Sequence, residues 1–186
     1  MAATITISGG PLGDPGPILT RNLERMLTEA TLLVERNVTR HTPIGVTEAA
    51  RGSIDSEVRP GAGGIPVGVV GSPLKHVAVI NDGRRPGARP PPVMEKGEGG
   101  GYTEEGSLVL WVRRKVSIRT PTGGSRAPTA EEARGVAYVI ARSIGARGIE
   151  GRHFFERGIE DSRGALEQIF AAGGLRITVD LAGGRG

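Results

Sequence analysis

Between residues 17 and 41 the apolar side chains Leu19, Leu23, Met26, Leu27, Ala30, Val34 and Val38 recur at intervals of three and four. That spacing puts them on one face of a helix. Pro17 suits the first helical turn, and Pro43 disfavours helical backbone in the residue before it, so the helix spans about 17–41 and is roughly 37 Å long. Short strand candidates follow at 53–59, 66–70 and 108–118, the last carrying the strand-favouring Val109, Trp111 and Val116. Residues 76–82 are apolar but too short to assign. Thr129 and Glu132 form a capping box that opens a second helix on Ala133, Val136, Ala137, Ile140 and Ile144. After a break at 145–151, a third helix runs through Phe154, Phe155, Ile159, Leu166, Ile169 and Phe170, weakened by about 1 kcal/mol at each of Gly158 and Gly164. Leu175, Ile177, Val179 and Leu181 then alternate with polar residues, which predicts a half-buried C-terminal strand.

Strands flanked by helices without βαβ alternation predict an α+β fold: a long N-terminal helix packed on a mostly antiparallel sheet, two further helices and a C-terminal strand. At 186 residues the chain predicts a single domain over 17–182, preceded by a flexible arm at 1–16 that can add a strand at Ile5 and Ile7, and followed by a short tail at 183–186. Glycine and proline supply 11 of the 24 residues between 83 and 106 and none between 18 and 42, so a folded body carries a long Gly/Pro loop.

Charge and chemistry narrow the function. The net charge of +4 and a pI near 10.1 admit nucleic acid. However, 21 of the 24 basic residues are Arg, spread along the chain among 20 acids, and an arginine-rich solvated surface accounts for them. The basic run Arg113, Arg114, Lys115 in the expected third strand divides between two faces, as a solvated or interfacial strand would, with a nucleic-acid groove as the alternative. Six aromatics give no stacking platform. Cysteine is absent, which excludes disulfides and thiolate chemistry, and no apolar run reaches the ~18 residues of a membrane span. The N-terminus lacks a signal pattern, so a soluble protein made in a cytoplasm is expected.

His41, His76 and His153 lack metal-site spacing. The acid pairs Glu104-Glu105, Glu131-Glu132 and Glu160-Asp161 are sequence neighbours that cannot converge on one substrate atom. Gly97 to Gly101 lacks the Lys and Ser or Thr of a phosphate loop. No catalytic residue, cofactor or metal is expected. Interface candidates lie in the loop, at the basic run and in the last strand. Arg84, Arg85 and Arg89 begin the loop and Glu95, Glu98, Glu104 and Glu105 end it, so the basic half of one subunit can meet the acidic half of the next. Val93, Met94 and Tyr102 must find partners outside the loop or remain solvated. Arg113 and Arg114, and the expected edge strand at Leu175, Ile177 and Val179, complete the set.

Three segments, in order, resemble the neck and tail-completion proteins of siphophages and lambda-like tailed phages, a family known as minor tail component. The first is the long helix ending in His41-Thr42-Pro43, then Thr47, Arg51 and Ser53-Ile54, where the family reads proline, Thr-Gly, Leu-Arg and Ser-Ile. Here Glu48 replaces the glycine, Ala50 the leucine, and the loop is one residue longer. The second, His76-Val77-Ala78-Val79-Ile80-Asn81-Asp82-Gly83, is similar to the family's Tyr-Ala, apolar residues, Glu and Gly, with His76 and Asn81 as departures. The third is Ile140 to Ile144, Arg147-Gly148, Arg152-His153-Phe154-Phe155 and Ile159. The resemblance implies an α+β virion protein without catalytic residues, assembled in the host cytoplasm as a ring, hexameric in expectation, at the head-tail joint. Its partners would be further copies of itself, head-tail adaptor or stopper proteins, tail terminator or tail-tube proteins, and by non-specific contact the DNA in the channel, with no membrane. A tail terminator of the same particle and a basic nucleic-acid-binding accessory protein are the alternatives.

Overall fold

The computed structural model describes residues 2–5, 16–45, 48–96, 102–103 and 107–183. In chain order these form β1 (Ala2–Ile5), α1 (Pro17–His41), α2 (Ala49–Gly52), β2 (Asp55–Pro60), β3 (Pro66–Gly71), α3 (Lys75–Asp82), β4 (Gly83–Arg84), β5 (Glu95–Lys96) and β6 (Tyr102–Thr103). They continue as α4 (Leu108–Lys115), β7 (Ile118–Arg119), β8 (Ser125–Arg126), α5 (Ala130–Arg147), β9 (Ile149–Glu150) and α6 (Phe154–Gly183). The protein is thus mixed helix and sheet, with a long N-terminal helix and small antiparallel sheets. It divides into two compact units: residues 1–43, 50–78 and 153–186, and residues 44–49 and 79–152.

In the first unit α1 lies against both β3 and α6. Its start is set by Pro17, whose missing N–H is one a first turn leaves unpaired anyway. Its end is set at Thr42, which turns to extended backbone ahead of Pro43 while its side chain donates to Val38 O at 2.8 Å. Arg51 Nε caps another terminal carbonyl, Thr39 O, at 3.2 Å. The expected apolar face is buried: Leu23, Met26, Leu27, Ala30, Val34 and Val38 each expose less than a tenth of their surface. It has two neighbours. Leu27 and Thr31 cover Gly68 in β3, where a Cβ would lie 2.5 Å from the Thr31 methyl, and Glu35 accepts a 2.5 Å hydrogen bond from Ser56 in β2. Met26 and Val38 instead touch α6, at Gly173 and Gly158.

The sheet runs β1-β3-β2, antiparallel throughout, pairing Ala2 with Gly71 and Asp55 with Gly71 on opposite sides. Residues 2–5 of the expected arm therefore form a strand, while 6–15 lie outside the described residues, as do 184–186 of the expected tail. In β3, Pro66, Gly68 and Val70 are buried and alternate with half-buried Val67, Val69 and Gly71, as the pleat requires.

The expected C-terminal strand is not present. Residues 175–181 continue α6 as an unbroken helix. The alternation of Leu175, Ile177, Val179 and Leu181 fits a strand in isolation, but α1 offers this segment a helical partner. Arg176 reaches Glu29 at 3.6 Å, and Asn22 donates to Asp180 at 2.8 Å. Thr178 turns its hydroxyl back onto Gly174 O at 3.0 Å, inside the helix. The two helices are antiparallel over the length of α1, from Asn22 with Asp180 to His41 with Asp161.

In the second unit α4 and α5 pack together around Val109, Val112, Ala133 and Ala137, all fully buried, with Val93, Met94, Leu108, Val116, Val136 and Ile140 around them. The strand expected at 108–118 is therefore helix up to Lys115, leaving only Ile118–Arg119 as strand. Ser107 is the N-cap, its oxygen accepting from the Leu110 N–H, and Val109 and Val112 sit three apart on the face turned to α5. Their β-branched propensity is overridden by that burial. The unassigned stretch at 76–82 is likewise helical, as part of α3. The capping box of α5 has both of its hydrogen bonds. The Gly/Pro loop is not free along its first half: β4 pairs with β9, the Gly87 N–H donates to Gly145 O at 2.8 Å, and Pro90 fits where a Cβ on Gly145 would be.

Candidate interaction surfaces

Sequence placed candidate residues in the Gly/Pro loop, at the basic run and in the expected last strand. Arg113 and Arg114 are exposed in the last turn of α4, followed by exposed Lys115. In a helix they do not alternate between faces as a strand would have them. Positions 111, 114 and 115 share one side, so Trp111, 42% exposed, stands beside Arg114 and Lys115. Immediately after, β7 and β8 form a hairpin with Ile118 opposite Arg126 and Arg119 opposite Ser125. Its turn is closed by the Thr120 N–H on Gly124 O at 2.9 Å and the Gly123 N–H on Thr120 O at 3.0 Å, with Gly123 at φ +85°.

Arg126 is bound on the far side of this hairpin. Its guanidinium grips both carboxylate oxygens of Glu132 at 2.6 and 2.7 Å, and the same Glu132 accepts from the Thr129 N–H at 2.8 Å. The Arg126 hydrogen bonds, and after them the Thr129 N–H, hold the Glu132 carboxyl down to about 2. The partnership raises Arg126 above its ordinary value in return. The sequence showed the Glu132 cap but not the Arg126 clamp upon it, because nothing in a spacing of six identifies a hairpin that brings the two together.

At the start of the loop, Arg84 is half-buried in β4 and its side chain donates to the carbonyl of Arg89, while Arg85 and Arg89 are exposed. Val93 and Met94 find their partners within the chain, on the α4–α5 core. Tyr102 is 77% exposed in β6. Glu95 belongs to β5, and Glu98, Glu104 and Glu105 lie outside the described residues, as does the Gly97 to Gly101 run. At the third site, Leu175 and Val179 are exposed one turn apart on α6, with Ile177 half-buried. Sequence reasoning missed one further apolar surface: Ile118, Gly135, Val136, Val139 and Ile140 line an open depression of about 440 Å³, rimmed by Glu132.

His41 Nε2 lies 2.6 Å from Asp161 Oδ2, at the end of α1 beside the start of α6, and both side chains reach solvent. His76 and His153 are exposed. Among the described residues no group of three or more His, Cys, Asp or Glu comes together, and no helix is long and apolar enough to cross a membrane.

No family model, curated protein or solved structure matches this chain. The functional reading therefore rests on the residues and on their arrangement.

Proposed function

We propose that the protein is a non-enzymatic structural subunit of a tailed-phage neck, a tail-completion ring component joining head connector to tail. The observation that carries this reading is the third resembling segment. Ile140 to Arg147 complete α5, Gly148 turns the chain at φ +76° with its Cβ position filled by Arg84 and Pro86 backbone, and Phe154 and Phe155 open α6 fully buried. A helix, an Arg-Gly turn and a buried Phe-Phe pair leading into the final helix is the order the resemblance calls for. The exposed apolar residues Leu175, Val179, Tyr138 and Val139 are further support, because an assembly subunit needs uncovered surface for its neighbours.

Repetition of one head-to-tail contact closes a ring when the rotation per subunit divides a full turn. Native mass spectrometry over rising protein concentration should show a closed species, in expectation six chains of 19.4 kDa at about 116 kDa. A 19.4 kDa monomer at every concentration, or a ladder without an upper limit, overturns the ring.

A further inference from the structure

Charge interrupts almost all of the apolar surface that the helices expose. Among the described residues, Leu32 has Arg36 one turn away, Trp111 has Arg114 and Lys115, Tyr138 and Val139 share Arg142, and Ile159 has Glu156 and Arg163. Leu175 is the exception. It is 66% exposed, and the residues three and four positions away are Ala171, Ala172, Thr178 and Val179. Val179, 61% exposed, extends the ridge by a turn. Arg176 is the one charged residue of 168–179, and its guanidinium reaches Glu29 on α1 at 3.6 Å. Thr178 donates its hydroxyl to Gly174 O at 3.0 Å, so that polar group keeps a partner when water is removed.

The second unit carries a concave surface of matching character. Ile118 of β7 and Gly135, Val136, Val139 and Ile140 of α5 line the open depression of about 440 Å³. Gly135 leaves it bare on one side, since nothing lies within 4 Å of its Cβ position. The ionised group on the rim, Glu132, has both carboxylate oxygens bound to Arg126 at 2.6 and 2.7 Å. One turn past Val139, the Ser143 hydroxyl accepts from Arg147 Nε at 3.0 Å. At about 30 Å³ per molecule the depression holds roughly fifteen waters, and apolar walls offer them no hydrogen bonds. Replacing them with aliphatic side chains is favourable.

We infer that the Leu175 and Val179 ridge on α6 of one copy seats in the α5 depression, against Val139, of a second copy. A convex and a concave surface at different places on one chain make a heterologous contact, which repeats from copy to copy. The choice of a second copy rests on the ring reading, joined to the match in charge. A neutral ridge entering a neutral seat buries no unpaired ion, whereas Leu32 or Ile159 in its place would bring an Arg against the apolar walls. The contact is thereby apolar and carried by helices, in place of the pairing between basic and acidic halves of the Gly/Pro loop that the sequence suggests.

Complementation between two surface variants tests this. Leu175→Asp loses the ridge and keeps the depression, and Val139→Asp loses the depression and keeps the ridge. Each alone should raise the concentration at which chains associate by at least about tenfold, read by analytical ultracentrifugation, because docking would bury a carboxylate without a partner. Mixed in equal amounts they should form a capped pair of two 19.4 kDa chains, the intact ridge of Val139→Asp entering the intact depression of Leu175→Asp. Leu32→Asp places the same charge on α1, at a side chain 55% exposed, and should leave association within about threefold of the parent. Far-ultraviolet circular dichroism and melting that match the parent remove unfolding as a cause. Either single variant associating like the parent, a mixture that forms no pair, or an equal loss with Leu32→Asp overturns the docking. A closed ring that persists in both variants overturns it and leaves the ring standing. A capped pair from the mixture, with a parent that stops at a reciprocal dimer or grows as an open ladder, keeps the docking and sinks the ring.

Discussion

At the residue scale, the best-defined electrostatic feature is Glu132, which serves as N3 of the α5 capping box and as the carboxylate for Arg126. Its carboxyl is depressed from 4.5 to about 2, so the folded state favours the ionised form. A depressed carboxyl contributes stability that is fully present above its unfolded value and is lost as pH falls through the folded one. The Glu132→Gln variant should therefore melt below the parent at neutral pH, and the gap should narrow as pH falls from 4.5 towards 2. Thermal melts of both proteins across that window check the sign, and a gap independent of pH would show that Glu132 acts through shape alone. The histidines behave differently from one another: His41 meets Asp161 across the helix pair, while His76 and His153 stay exposed.

At the scale of elements, α1 and α6 make the most extensive pairing in the first unit, and two glycines of α6 separate helix propensity from packing. By propensity alone Gly158 and Gly164 are equivalent, each costing about 1 kcal/mol relative to Ala. In the structure they are opposites. A Cβ on Gly158 would lie 2.6 Å from the Val38 backbone nitrogen and 2.7 Å from its Cα, so α1 passes too close for any side chain. Nothing lies within 4 Å of the corresponding point on Gly164. Gly158→Ala should destabilise the protein by about 1–3 kcal/mol, the range for overpacking, and Gly164→Ala should stabilise it by up to about 1 kcal/mol. Urea unfolding of the two single variants decides this, and similar signs for both would mean that α6 does not approach α1 closely at Gly158. The same crossing buries Asn37 and Ser162, joined at 2.9 Å, with Ser162 donating its own proton to Gly158 O at 2.6 Å. A polar pair in an apolar seam disfavours sliding by one turn, because either partner displaced would be buried unsatisfied.

At the scale of the whole molecule, the chain leaves its first unit twice, at 44–49 and again at 79–152, and these two segments make up the second compact unit. Each unit has its own buried set, Leu27, Ala30, Val34 and Val38 with Phe154 and Phe155 in one, Val109, Val112, Ala133 and Ala137 in the other. Leu27→Asp buries a charge without a partner in the first core and Val112→Asp does so in the second, and each loss should exceed the ordinary range of about 0.5–3 kcal/mol. Hydrogen exchange should show Val112→Asp removing protection from α4 and α5 while α1 and α6 keep theirs. Simultaneous loss in all four helices would mean one cooperative domain, as the chain length by itself predicts.

Elements whose signal is local and complete are legible in the residues alone. α1 has an unbroken stripe between two prolines, α5 has its capping box, and the strands expected at 53–59 and 66–70 form at Asp55–Pro60 and Pro66–Gly71. Local chemistry suffices there because caps, breakers and periodicity act within a few residues. Only tertiary structure decided the segments whose pattern fits two states. Residues 108–115 and 175–181 read as strands from β-branched content and alternation, yet fold as helices because α5 and α1 offer them helical partners far away in sequence. The consequence reaches the candidate site, since Arg113, Arg114 and Lys115 share a helix end rather than two faces of a strand. The clamp of Arg126 on Glu132 and the meeting of His41 with Asp161, 120 residues apart, were equally invisible, because proximity between distant residues is set by how elements pack and not by the residues that meet.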